Sequence, residues 1–155
     1  MRSRTAIWFE CKIRYEKVME DGLQKKVTEA YTIDALSYAD AENRIIEEMA
    51  GYISGEYEVD TITKAPYKEI FFSDDETADR YYRAKLDFIT IDEKTEKEKR
   101  SRVTYLVQAG SFDAACKNLK EVMGSTMTDY VVNGINETKL MDVFEYKADD
   151  SEKDE

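Results

Sequence analysis

One unit is written twice in this sequence. When residues 28–49 are laid on 102–123 at an offset of 74, Tyr31/Tyr105, Ala35/Ala109, Ser37/Ser111, Ala41/Ala115, Glu47/Glu121 and Met49/Met123 coincide, six identities in 22 positions. At an offset of 73, Phe9, Cys11, Ile13 and Tyr15 fall on Tyr82, Ala84, Leu86 and Phe88, and Tyr57, Val59, Ile62 and Phe71 fall on Tyr130, Val132, Ile135 and Phe144. A repeat that spans nearly the whole chain constrains its fold more than any local signal does. At 155 residues the chain makes one domain of ordinary size, whereas either half alone is marginal for a core, so the halves are expected to share one.

Each copy reads the same way. Two stretches of period-two alternation, at 6–16 and 26–35 and again at 80–91 and 101–109, predict paired strands joined by charged loops. Ser37 and Ser111 are N-cap candidates. Each precedes an apolar stripe at helical spacing: Tyr38, Ala41, Ile45, Met49 and Tyr52, then Phe112, Ala115, Leu119 and Met123. Further strands are predicted at 57–63 and 130–136, with short ones at 67–72 and 140–146 and Pro66 separating the pieces in the first copy. The expected architecture is therefore α+β, with internally duplicated ββαβ units forming an antiparallel sheet and two helices packed on one face. A single pseudo-two-fold domain should cover 1–146, with repeats at about 6–72 and 80–146. The segment 73–79, with four acids and no base, is the expected linker. Residues 147–155, with five acids and two lysines, read as a disordered acidic tail that either keeps the protein soluble or acts as a partner-binding or self-inhibitory arm.

The stretches WFECKIRY, VTEAYTIDALSYADAENRI and KAPYKEIFF resemble a family of short proteins from gut Bacteroidetes, their mobile elements and their phages. The resemblance covers most of the chain. It implies a domain of unknown function in a cytoplasmic or phage setting and carries over no functional residue.

Catalytic chemistry finds little support. The chain has no histidine, which removes Ser-His-Asp and Cys-His nucleophile systems and the commonest metal ligand. Cys11 and Cys116 stand in unrelated places on the repeat and read as buried thiols. With 34 acids, chance carboxylate pairs are inevitable; Glu47-Glu48 reads as a solvated helix face and Asp74-Asp75-Glu76 as part of the linker. Neither a GxxxxGK[ST] loop nor a GxGxxG turn is present. No enzyme activity, cofactor or metal is expected. No run approaches the roughly 18 apolar residues of a membrane span, and the first ten residues lack the apolar stretch of a signal peptide. A cytoplasmic protein of a bacterial or phage-infected cell is expected.

The net charge of −11 is unevenly spread. Residues 1–32 hold seven bases and five acids, and residues 80–107 hold eight and five. By contrast, residues 33–79 hold three bases and 13 acids, and residues 108–155 hold five and 11. Both hairpins are basic and the rest is acidic. Strand alternation places Phe9, Cys11, Ile13 and Tyr15, like their counterparts Tyr82, Ala84, Leu86 and Phe88, on the core side. The other face carries Trp8, Glu10, Lys12 and Arg14, matched by Tyr81, Arg83, Lys85 and Asp87. An aromatic ring followed by cations on an open sheet suits single-stranded DNA or RNA, because bases stack on rings while cations neutralise phosphates. The expected function is thus a non-enzymatic binding module for single-stranded nucleic acid, with Trp8, Lys12, Arg14, Tyr81, Arg83 and Lys85 as ligand-binding residues. In the alternative reading Trp8 and Tyr81 are buried where sheets or chains meet. The module then binds a protein partner or itself as a homodimer, including the case of a phage-type acidic protein that binds a host protein.

Overall fold

The alternating segments pair as hairpins because each ends in turn chemistry. The structure, a computed structural model, describes residues 1–146. β1 (Arg2–Arg4) is followed by β2 (Trp8–Val18) and β3 (Gln24–Asp34), which pair antiparallel in continuous register from Trp8↔Asp34 to Val18↔Gln24. Gly22 closes the turn between them at φ 81°, a left-handed conformation that costs glycine little. α1 (Tyr38–Met49) and β4 (Tyr57–Lys64) come next, then β5 (Tyr67–Phe72). The second half repeats the order with β6 (Arg80–Ile91), β7 (Glu98–Ala109), α2 (Phe112–Met123), β8 (Asp129–Glu137) and β9 (Leu140–Phe144).

The α+β class expected from the sequence is what the chain adopts, with two helices and nine strands among the described residues. The arrangement differs from a single antiparallel sheet bearing both helices. There are two sheets, ordered β4-β2-β3-β9 and β1-β5-β7-β6-β8, and each has its own helix and one parallel pair. β9 runs parallel to β3, and β5 runs parallel to β7, so each half of the sequence places its last strand in the sheet built mainly by the other half. The connections that make this exchange are two residues long: Ala65-Pro66 before β5, and Thr138-Lys139 before β9. Pro66 has no N–H to continue the β4 ladder, so pairing stops there.

Contacts divide the chain into two compact units. Among the described residues, a five-stranded unit contains Met1–Ala6 and Pro66–Lys139, and a four-stranded unit contains Ile7–Ala65 and residues 140–146. The segment 73–79, the expected linker, joins β5 to β6 inside the five-stranded unit, where the Asp75 carboxylate accepts from Thr77 N and Oγ1. The expected disordered tail at 147–155 lies outside the described residues.

Each unit has a core under its helix. Ser37 Oγ accepts from Asp40 N and Ser111 Oγ from Ala114 N, both at 3.1 Å, which starts the two helices in register. In the four-stranded unit Ala41, Ile45 and Met49 of α1 are buried with Phe9, Cys11, Ile13, Tyr31, Ile33 and Phe144. In the five-stranded unit Leu119 and Met123 of α2 are buried with Phe71, Ala84, Leu86, Tyr105 and Val107. A buried aliphatic side chain of this kind is worth about 1.5–3 kcal/mol relative to exposure. Tyr38, Tyr52 and Phe112, predicted within the stripes, are instead exposed at the helix ends. Tyr38 packs edge-on to Phe9 with ring centroids 5.0 Å apart, and Phe112 edge-on to Tyr82 at 6.3 Å, so each caps its core rather than entering it.

Candidate binding surfaces

The first hairpin strand of each half was expected to present rings and cations outward, and the structure separates the two. Trp8 is 1% exposed and Tyr81 5%. Both stand at the start of their strands, where their backbone carbonyls accept from Ala65 N and Thr138 N, respectively, at 2.8 and 2.9 Å. Trp8 Nε1 has no hydrogen-bond partner among the described residues. Neither ring is at the surface.

The cations meet different fates. Lys12 and Lys85 are exposed, at matching places beside the register shifts in the β2–β4 and β6–β8 ladders. Arg14 is bound to Glu58 at 2.9 Å and lies 3.4 Å from Asp60. The hydrogen bond to Glu58, then the charge of Asp60, holds its guanidinium above its ordinary value. Arg83 is half-buried, donates to Tyr67 Oη at 3.0 Å and lies over that ring, 5.6 Å from its centroid. The six expected residues therefore do not form one exposed face: the aromatic pair is in the interior, one arginine is neutralised and another is half-buried against a tyrosine.

The rest of that face of β6 is mixed. Asp87, buried on β6, accepts from Arg102 at 3.2 Å. A hydrogen bond from Asn133, then that from Arg102, pulls its carboxyl below the usual range. Ile91 is 70% exposed at the hairpin end.

The four-stranded unit carries a feature that strand alternation alone did not reveal. A groove follows the outer edge of β4, lined by Glu42 and Ile46 of α1, Tyr57, Glu58, Val59 and Asp60 of β4, and Arg14 of β2. Tyr57 Oη donates to the Ile46 carbonyl at 3.3 Å and ties strand to helix along it. On the two central strands of the same sheet, Tyr15 of β2 and Tyr31 of β3 donate to the two oxygens of Glu29 at 2.9 and 3.0 Å. Burial, followed by the Glu29 hydrogen bond, pushes the Tyr31 phenol up. The excess of acids in residues 33–79 was the available sequence signal for the groove, but it did not say which acids would converge.

Reactive chemistry is sparse. Cys11 is fully buried, and burial, then the neighbouring Glu10 charge, pushes its thiol up to about 12. Among the described residues no three His, Cys, Asp or Glu side chains come together as a metal site. No helix among them is long and apolar enough to cross a membrane.

The units differ sharply in charge. The five-stranded unit holds 14 bases and 14 acids, whereas the described part of the four-stranded unit holds seven bases and 15 acids. Residues 7–146 match the family model described as Domain of unknown function (DUF4494). No curated protein and no solved structure matches the chain.

Proposed function

The chain belongs to the DUF4494 domain family, and from that premise we propose a non-enzymatic protein-binding module that meets a basic partner through its four-stranded unit. The observation that carries this reading is the partition of charge: one unit is neutral and the other is strongly acidic. A field concentrated on one unit speeds association with an oppositely charged surface and repels nucleic acid. The single-stranded nucleic-acid reading requires exposed rings, and Trp8 and Tyr81 are in the interior.

Matching residues also support descent of the two halves from one duplicated unit, which is part of the proposal. Arg44 and Asn118, 74 residues apart, bond the carbonyls of Asp34 and Gln108, also 74 apart. Tyr146 N and Ser73 N, 73 apart, donate to the side chains of the same Asp34 and Gln108. The copies have diverged in charge, which left one acidic and one neutral unit to serve as binding surface and support. A cytoplasmic setting in gut Bacteroidetes or their phages completes the reading and rests on the resemblance of the quoted stretches.

The test compares two probes, a labelled arginine-rich peptide and a labelled single-stranded oligonucleotide, by fluorescence anisotropy over a salt series. The peptide should bind, with affinity falling as salt rises. Neutralising Glu16, Glu20, Glu42 and Glu58 should weaken it, while neutralising Glu76, Glu93, Asp113 and Asp129 of the other unit should not. Salt-dependent oligonucleotide binding that is lost on Lys12→Ala with Lys85→Ala would replace this reading with the nucleic-acid one.

A further inference from the structure

We propose that the free edge of β4, together with the groove between it and α1, takes a short basic extended segment of a partner protein, which adds to the four-stranded sheet as a new strand. This rests on the protein-binding reading and gives it a site and a mode.

The backbone supplies the first reason. β4 is the end strand of its sheet, so the N–H and C=O groups on its outer side have no ladder partner among the described residues. Such an edge is a template for strand addition, and proteins usually block it with lysine, proline or a bulge. β4 has a register irregularity opposite Lys12/Ile13, and Lys64 stands at its far end. The stretch Tyr57–Val59 before the irregularity has neither lysine nor proline.

Side chains around that stretch supply the second reason. On one face of β4 stand the carboxylates of Glu58 and Asp60. On the helix side stand Ile46, 41% exposed, and Glu42 of α1, with Tyr57 and Val59 of β4. Arg14, the one cation lining the groove among the described residues, is already shared between Glu58 and Asp60. A strand alternating cationic and apolar residues would turn its cations to the carboxylates and its apolar side chains to Ile46 and Val59, since successive side chains point to opposite faces. Carboxylates alone would not make a site here; the unpaired backbone beside them does.

The third reason is that this chain already docks a segment of that kind on one of its own edges. In the five-stranded unit β1, with the sequence Arg-Ser-Arg, adds antiparallel to β5 through three residues, Arg2↔Phe72, Ser3↔Phe71 and Arg4↔Ile70, and the Arg2 guanidinium lies 4.2 Å from the centre of the Phe72 ring. Three residues of basic strand therefore suffice as an edge strand in this fold. The edge of β8, which matches β4 in the repeat, lacks the charge. Val131 and Asn133 stand where β4 has Glu58 and Asp60, and Cys116 and Lys120 stand where α1 has Glu42 and Ile46. The acidic edge is a property of the four-stranded unit alone.

The experiment uses the full chain and a short labelled peptide alternating Lys and Val, beside a peptide of equal charge with two interior valines replaced by proline. The alternating peptide should bind, and the proline peptide, which cannot complete the ladder, should bind roughly tenfold more weakly or worse. Glu42→Gln with Glu58→Gln and Asp60→Asn should cost a similar factor, while Glu16→Gln with Glu20→Gln and Asp21→Asn at the hairpin end should leave binding nearly unchanged; circular dichroism checks that both variants fold. Equal affinity for the two peptides, or equal loss in the two variants, overturns the edge site while leaving acidic-unit binding intact. Failure of the alternating peptide where the arginine-rich peptide still binds does the same. A dimer of the chain abolished by the groove substitutions would assign the edge to a second copy and overturn the partner proposed.

Discussion

Arg44 and Asp34 are joined at 2.6 Å in a nearly closed setting, and the same Asp34 oxygen accepts the backbone N–H of Tyr146 at 2.8 Å. This clasp fastens the chain just beyond β9, the strand that the second half places in the first half's sheet. The guanidinium also lies 5.2 Å from the centre of the Tyr146 ring. In the other unit Gln108 and Asn118 do the same work without charge, with Ser73 N donating to Gln108 at 3.0 Å. Asp34→Ala leaves a mostly buried guanidinium uncompensated and should cost roughly 3–5 kcal/mol in urea unfolding. Asp34→Gln with Arg44→Asn, which copies the neutral clasp, should recover much of that loss. An equal loss in both variants would mean that the pair is not what holds β9.

Asp87 makes acid stability measurable at one residue. Its carboxyl lies below its usual value because Asn133 and Arg102 bond the charged form. Its folded pKa is thus lower than its unfolded one, so the contribution is fully present above the unfolded value, near pH 4, and is lost as pH falls through the folded value. Asp87→Asn should therefore lower stability at neutral pH and flatten the acid limb of a stability–pH curve. Urea midpoints measured from neutral pH downward check this, and parallel curves for the two proteins would contradict it.

Trp8, the single tryptophan of the chain, reports directly on the surface first expected of it. Because it is 1% exposed, its emission should be blue-shifted and resist acrylamide quenching until the protein unfolds. Trp8→Ala should act as a large-to-small core substitution, costing about 3–5 kcal/mol. Ready quenching in the folded protein would place the ring at the surface and restore it as a stacking platform.

Much of the fold is local and therefore legible. The N-caps Ser37 and Ser111, the inner stripe residues Ala41, Ile45, Met49, Ala115, Leu119 and Met123, and the buried side of β2 and β6 at Phe9, Cys11, Ile13, Tyr82, Ala84 and Leu86 all depend on neighbours a few residues away, and they stand where the periodicity places them. β1, three residues long, is too short to carry a pattern and was missed.

The sequence by itself determined which side chains share a face, where each helix begins, and how the element order repeats. It could not determine which strand each strand would meet. Alternation marks a buried side without naming the partner, so the exchange of β5 and β9 between the two sheets was decided only by tertiary packing. The same packing put Trp8 and Tyr81 in the interior: a ring on the face away from the helix is outward only if nothing covers it, and pattern alone cannot say what will. Charge behaved likewise, since 34 acids are visible in the sequence but only the fold divides the described ones between a neutral unit and an acidic one whose end strand is β4.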